Sequence, residues 1–286
     1  MYEIILNFLI RNNFLYLNKI IFKLFKFFLK KRIVLNFLKY KFYAYPQKKE
    51  ISRWMIKNLE IWDKDSVEMI INQIKNDNTI FIDIGCNYGA YSIPIAKLKN
   101  KINVYCFDPS KKALNQLKDN ILLNDIKNIK HFNLGVGEKH KTAFFNDDIK
   151  NYDNSGLYEI SNKYSGKKIL INSIDNLIDD DEIIPKKKII IKMDVEGYEF
   201  LVLQGMKKTI KKYDVFIFFE FSIKMVLNHD NLLISFTKFL KENNLKIFNS
   251  EFNEIKIEDL FDKIKFLPKG HEVVGNYIIS KNINFN

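Results

Sequence analysis

One stretch constrains this chain more than any other: Thr79-Ile80-Phe81-Ile82-Asp83-Ile84-Gly85-Cys86-Asn87-Tyr88-Gly89-Ala90-Tyr91-Ser92. An apolar run ends in an acid, then in glycines, then in an amphipathic pattern. That order encodes a buried strand, a tight turn and the start of a helix. Glycines let the turn's backbone approach a ligand closely, and the first helical turn offers N–H groups that lack an intrahelical partner. Nucleotide and dinucleotide sites share this construction. The dinucleotide fingerprint G-x-G-x-x-G/A places a glycine where Asn87 stands, and a P-loop needs a lysine that does not follow Gly89. What remains is D-x-G-x-N-x-G, a pattern that a strand–turn–helix without any ligand also satisfies.

Two further segments repeat the theme. Asn103-Val104-Tyr105-Cys106-Phe107 is a short apolar run that ends in Asp108-Pro109. The offset from the glycine turn is roughly the twenty residues expected of a ribose-binding carboxylate. Asp108 is therefore expected either to accept hydrogen bonds from ribose hydroxyls or to cap the helix that follows, two compatible roles. Ile189-Ile190-Ile191-Lys192-Met193 runs into Asp194-Val195-Glu196-Gly197-Tyr198-Glu199. Here three carboxylates gather where a parallel strand ends, the edge at which open α/β sheets bind ligands. Clustered carboxylates are costly unless they bind a cation, shift their pKa or take part in chemistry. An acid at Asp83 repels a pyrophosphate but suits a ligand with a positive centre and an ammonium group. S-adenosylmethionine has both.

At these residues the chain resembles the FkbM family of S-adenosylmethionine-dependent methyltransferases. The matching pieces are residues 81–92 (FIDIGCNYGAYS), 106–110 (CFDPS), 173–178 (SIDNLI) and 191–205 (IKMDVEGYEFLVLQG), the last being the most discriminating. The resemblance covers about residues 79 to 280. It implies a Rossmann-like class I methyltransferase fold and transfer of a methyl group to an oxygen, often on a sugar or another small biosynthetic substrate. Many relatives carry Glu where this chain has Asp108; the shorter side chain still reaches a ribose.

The pattern predicts an α/β fold with a mostly parallel seven-stranded sheet and helices on both faces, because strands and helices alternate. Strands are expected near 80–84, 103–107, 129–134, 189–194, 214–220, 245–249 and 273–280. Helices are expected near 90–98, 110–123, 198–211 and 230–244. Residues 50–78 read as mostly helical, with Ile51, Trp54, Met55, Ile61 and Trp62 as packing residues and Asp65 capping a second helix. Residues 139–187 break the alternation with short extended runs at Thr142–Phe145 and Lys168–Asn172. The loops at 139–170 and 222–232 are expected to hold the acceptor.

Charge divides the chain. The formal net charge is +12, yet eleven of the basic residues, against the single acid Glu3, fall before residue 50. The expected domains are a basic arm at 1–49 and a methyltransferase domain at 50–286. Lys19, Lys23, Lys26 and Lys30 fall on one helical face amid Phe, Leu and Ile. The arm therefore reads as an amphipathic helix over residues 1–45, with an anionic membrane surface as partner and packing on the body or self-association as the alternative. No apolar stretch is long enough to span a bilayer, and lysines interrupt any signal-peptide core. The expected location is cytoplasmic, peripheral on the inner face of the membrane. The body is near neutral, so nucleic acid is a poor partner. Cys86 and Cys106 give no disulfide framework, and the four histidines show no metal-ligand spacing.

Methyl transfer from a sulfonium is an in-line displacement, so positioning dominates, but a hydroxyl acceptor needs help losing its proton. The candidates for that help are Glu196 first, as base or acceptor-orienting residue, then Asp194, Glu220 and Lys192. Asp194 also positions the donor. Asp194 with Glu220 is a potential divalent-metal pair, but no third ligand is readable and no metal is expected. Lys192 also reads as an ion-pair partner of Asp194 or Glu196, Glu199 as a helix-start acid, and His229 as a loop residue. Donor contacts are expected from Asp83, Gly85, Asn87, Tyr88, Gly89, Tyr91, Asp108, Pro109, Gly135, Val136 and Asp194, with Asn154, Ser155 and Gly156 nearby. The leading function is O-methylation of a sugar on a surface glycan or its lipid-linked precursor. The alternatives are an RNA methyltransferase that grips phosphates through the arm, and a non-catalytic membrane scaffold.

Overall fold

Every strand of the sheet read from the apolar runs forms. The computed structural model describes residues 32–45, 51–58, 60–146, 156–158, 167–268, 271 and 273–281. In chain order the elements are β1 (Ile33–Phe37), β2 (Tyr40–Ala44), α1 (Ile51–Asn58), α2 (Lys64–Gln73), β3 (Thr79–Ile84), α3 (Ser92–Leu98), β4 (Asn103–Phe107), α4 (Lys111–Leu123), β5 (Ile129–Phe132), β6 (Gly135–Val136), β7 (Lys141–Asn146), β8 (Gly156–Tyr158), β9 (Lys167–Asn172) and α5 (Ile174–Asp179). Then follow β10 (Lys188–Met193), α6 (Glu199–Gln204), α7 (Lys207–Lys212), β11 (Asp214–Ser222), α8 (Ile223–Leu227), α9 (Leu232–Glu242), β12 (Lys246–Phe248), β13 (Glu254–Ile255), α10 (Ile257–Lys265) and β14 (Val273–Ser280).

The main sheet has the order β13-β12-β14-β11-β10-β3-β4-β5. Its five strands from β11 to β5 are mutually parallel, and β14 is inserted antiparallel between β11 and β12. This is the expected Rossmann-like sheet with an eighth strand, because the two-residue β13 extends it. Strands buried on both faces read as continuous apolar runs, and all six residues of β3 are buried. Alternate residues feed opposite cores. Ile80, Ile82 and Ile84 join one with Phe200, Val202 and Phe236, while Phe81 joins the other with Ile70, Ile93 and Leu117.

The extended runs at 141–146 and 167–172 pair antiparallel in a second sheet of order β6-β9-β7-β8. The strand expected to run to residue 134 stops at Phe132, and Gly135–Val136 cross over to pair with β9. The helix expected over 198–211 is two helices. The chain turns at Gly205–Met206, where the Asp175 carboxylate accepts hydrogen bonds from the Lys208 and Thr209 amides and the Thr209 hydroxyl and so opens α7 afresh. The region expected as a loop at 222–232 contains α8. Asp65 is not the cap of α2: it lies in the first turn, and Asp63 precedes the helix in a left-handed conformation.

The arm needs the largest correction. Residues 1–31, which carry the lysine stripe, lie outside the described residues. Residues 33–44, expected to continue that helix, form an antiparallel hairpin closed at Leu38–Lys39. Its burial alternates: Ile33 and Leu35 on one strand, and Phe42 and Ala44 on the other, are buried. That period of two wins because the body offers a partner. The Asn120 Oδ1 of α4 accepts from the Tyr43 amide at 2.9 Å, and its Nδ2 donates to the Tyr88 carbonyl at 3.0 Å. One turn on, Asn124 Oδ1 accepts from the Lys41 amide and its Nδ2 donates to the Lys41 carbonyl, both at 2.7 Å. The hairpin thus belongs to the body rather than to a separate arm. Asn120→Ala should cost about 2 kcal/mol, because it strands buried backbone groups on two elements. Urea denaturation measures this, and a loss of under about 0.5 kcal/mol would mean that water replaces the asparagine.

Candidate active site

Register builds the site. Ile84 of β3 lies beside Phe107 of β4 and Met193 of β10, and Met193 lies beside Phe219 of β11. The next residue on each strand is Gly85, Asp108, Asp194 and Glu220. Three apolar strands end in step and the fourth, β11, runs on to Ser222, so one glycine and three carboxylates, Glu220 within its strand rather than at its end, form a single row at the sheet's carboxyl edge, where α/β folds bind ligands. A cavity of about 1000 Å³ opens over this row.

Of the residues expected in the site, Gly85, Asn87, Tyr88, Tyr91, Asp108, Pro109, Gly135, Val136, Lys192, Asp194, Glu196 and Glu220 all line that cavity. Asp83 and Gly89 do not. Asp83 sits one residue below the row, fully buried, where it accepts from the Ser92 hydroxyl and lies 3.8 Å from the Lys192 ammonium. It fixes the start of α3 and the lysine rather than touching the cavity. Gly89 turns the chain at φ 92°, where an added Cβ would fall 2.6 Å from Leu117. Asn154 and Ser155 lie outside the described residues, and Gly156 is in β8. His229 packs edge-on against Phe200, away from the cavity wall.

The glycine turn and Asp108 form one part of the cavity wall. Asp108 Oδ2 accepts from the Asn87 amide at 2.9 Å, and Oδ1 from the Ser110 amide at 2.8 Å. Asn87 holds φ 49°, one of the conformations asparagine tolerates best. Ser110, not Asp108, caps α4 by accepting from the Ala113 amide. Asp108 is left free to present its remaining lone pairs to the cavity. Burial raises its pKa to about 6, against the pull of the two amides. Tyr88 contributes its ring, but its hydroxyl is committed to the Met55 sulfur at 3.4 Å.

The cavity wall also holds a mixed-charge cluster. Lys192 Nζ reaches Asp194 Oδ2 at 3.3 Å and the Gly85 carbonyl at 3.2 Å. Burial alone would lower its pKa, but Asp194 and Asp83 outweigh that and hold the ammonium charged. The ion-pair reading of Lys192 is the observed one, with Asp194 and Asp83 rather than Glu196 as partners. Glu196 adopts a left-handed conformation, φ 55°, and pairs with Lys224 Nζ at 2.7 Å. The loop that carries it is tied from behind: buried Glu199 Oε1 accepts from the Val195 and Gly197 amides. Glu220 has no hydrogen-bond or ion-pair partner among the described residues. Burial first, then the charges of Asp194, Glu196 and Glu199, raise its pKa to about 8.

Five contributors escaped the sequence reading. Lys224 reaches Glu196 from α8. Asp63 accepts from the Tyr91 hydroxyl, and Asn276 Nδ2 donates to it at 3.5 Å. Trp54 and Trp62, read as packing residues, line the cavity. Only chain reversal brings these groups together. Asn276 is 213 residues from Asp63, so no local pattern announces the contact. Among the described residues, no group of three or more His, Cys, Asp or Glu is placed to hold a metal ion.

Residues 83–254, well over half the chain, match the family described as the methyltransferase FkbM domain. The chain belongs to that family. It is similar to the 2-O-methyltransferase NoeI of Sinorhizobium fredii, 24% identical over 54% of this chain and 67% of that protein. It is also similar to the hexuronic acid methyltransferase AglP of Haloferax volcanii, 24% identical over 57% of this chain and 64% of that protein. A methyltransferase FkbM from Methylobacillus flagellatus aligns with 60% of this chain and 39% of its own, with a TM-score of 0.41 and 18% identity.

An FkbM methyltransferase uses S-adenosylmethionine, and the residues present fit it. The cavity is at the upper end of the range for small-molecule sites. Its wall offers Phe107, Leu134 and Val136 as apolar surface beside Asp108, a setting for an adenine and its ribose. We propose that Asp108 accepts from two ribose hydroxyls, for which it must be ionised. Affinity for the product S-adenosylhomocysteine should therefore fall as pH drops through about 6, by up to roughly ten-fold per pH unit. In Asp108→Asn the affinity should be low and flat with pH, because an amide nitrogen then faces one of the two N–H donors. Calorimetry across pH decides it; an unchanged slope in the variant would remove Asp108 from the donor site.

Proposed function

We propose that this FkbM protein transfers the methyl group of S-adenosylmethionine to a hydroxyl of a sugar. One observation carries the reading. The glycine turn and Asp108 share a single cavity with a carboxylate that has no partner among the described residues, Glu220, whose pKa is raised into the range of a working base. When bound, the donor supplies a methyl group on a sulfonium, open to in-line displacement. The protein's part is to align the acceptor oxygen and remove its proton. Glu220 takes that proton as the oxygen–carbon bond forms and the carbon–sulfur bond breaks. Glu196 is held in an ion pair with the Lys224 ammonium; it orients the acceptor instead. Lys192 holds Asp194 and the Gly85 carbonyl in place at the junction of the two halves.

The names of the two relatives, a 2-O-methyltransferase and a hexuronic acid methyltransferase, support oxygen as the acceptor atom and a sugar as its carrier. Six basic residues within 1–31 favour an acceptor carried on a lipid-linked or surface glycan, with the arm drawn to an anionic bilayer. No helix among the described residues is long and apolar enough to cross a membrane. The test uses the full chain with isotopically labelled methyl donor and extracted glycans. Label should appear in a glycan with a mass gain of one methylene. Label found only in RNA would overturn the assignment. So would donor binding without turnover on any glycan.

A further inference from the structure

Trp54 and Trp62 are the chain's two tryptophans, and both stand on the wall of the same cavity. Their rings meet edge to face, centroids 5.4 Å apart at 77°. Trp62 keeps 40% of its surface exposed, a poor use of the largest apolar side chain if packing were its task. Polar groups share this wall. Asp63 follows Trp62, Asn276 Nδ2 lies 3.5 Å from Asp63 Oδ2, and Asn276 is the direct cross-strand neighbour of Glu220. An aromatic platform thus leads, through a carboxylate and an amide, to the carboxylate that accepts the proton.

That combination matches a sugar ring. Its axial C–H groups form an apolar, weakly positive face that suits an aromatic ring, and its rim of hydroxyls needs acceptors and donors together. A carboxylate beside a carboxamide supplies both. Charge narrows the class further. Asp63, Asp108, Asp194 and Glu196 line the cavity against Lys192 and Lys224, and both lysines are already paired with acids. The net single positive charge of the donor does not reverse this excess. A sugar carboxylate would meet repulsion, while a free amine would gain attraction.

Resting on the sugar reading above, we propose that Trp54, Trp62, Asp63 and Asn276 form the acceptor subsite and that it selects a neutral or amine-bearing sugar over a uronic acid. The test is titration of the full chain, loaded with S-adenosylhomocysteine, with methyl glucoside, methyl glucosaminide and methyl glucuronide. The two tryptophans make intrinsic fluorescence a reporter of this site alone, and calorimetry gives the affinities. The glucoside and glucosaminide should bind at least roughly ten-fold more tightly than the glucuronide. Trp62→Ala should weaken them by roughly ten-fold, Trp62→Phe should keep most of the affinity, and S-adenosylhomocysteine binding should be the same in all three proteins. Equal binding of the glucuronide overturns the charge selection. Unchanged sugar affinity in Trp62→Ala overturns the subsite while leaving sugar methylation standing. If no glycoside binds the loaded parent protein, the sugar reading falls and takes the subsite with it.

Discussion

Gly85→Ala should eliminate donor binding and destabilise the fold by about 4 kcal/mol. Gly85 holds φ 76°, where an L side chain is strained, and an added Cβ would fall 1.9 Å from the Asp194 carbonyl oxygen and 3.0 Å from its carbon. Both atoms are backbone, so rotamer change brings no relief. The ends of β3 and β10 would have to part, and with them the Asp194 amide bond to the Ile84 carbonyl and the Gly85 amide bond to the Phe107 carbonyl. Those bonds hold the ends of β3, β4 and β10 in step. Gly89→Ala is the control. It carries the same kind of φ strain, but the added methyl meets the far end of the Leu117 side chain, which can move, so the cost should stay near about 1–2 kcal/mol. Thermal melts and calorimetry with S-adenosylhomocysteine distinguish the two. A Gly85→Ala protein with parental stability and affinity would show that the strand ends are not rigidly coupled.

Glu220→Gln should lower kcat by about 10²–10⁴-fold with little change in donor affinity. In the parent enzyme kcat should rise with pH and level off above about 8, since Glu220 must lose its proton before it can accept one. The variant should lose that limb, whereas Glu196→Gln should keep it. Stability separates chemistry from misfolding. Glu220's folded pKa lies above its ordinary 4.5, so the folded state keeps a proton that the unfolded chain has released. The parent therefore loses stability as pH climbs from about 4.5 to about 8, while below that window the group costs nothing. Glu220→Gln removes this loss and should be at least as stable as the parent at alkaline pH. A slow but stable variant assigns the base. A variant with full activity and an intact pH limb moves the role to another group.

The elements that sequence reading located are those whose signals are local. An apolar run ended by an acid and a glycine is a strand and a turn wherever it is placed, so Gly85, Asp108, Asp194 and Glu220 were each identifiable from a few neighbouring residues. The first three turns also carried the family resemblance. Asp83 was misplaced for a local reason as well. The pattern says that an acid closes β3, but whether it stands in the ligand row or one residue beneath depends on register with β4 and β10. The hairpin at 33–44 was misread because its apolar residues satisfy both a helical and an alternating pattern. Asn120 and Asn124, some 80 residues away, supply the backbone partners that decide between them.

The sequence by itself determined the chemistry available: which side chains end which strands, and that acids and glycines converge where an α/β sheet takes its ligand. It could do so because strand burial and turn formation act over a few residues. Tertiary structure alone decided which acids are paired and which are not. Lys224 ties up Glu196, the Asp83–Lys192–Asp194 contacts occupy that lysine, and Glu220 has no hydrogen-bond or ion-pair partner among the described residues. Hydrogen bonds and charge pairs act over a few ångströms of space rather than of chain, so the residues they select are fixed only when the sheet brings distant segments together.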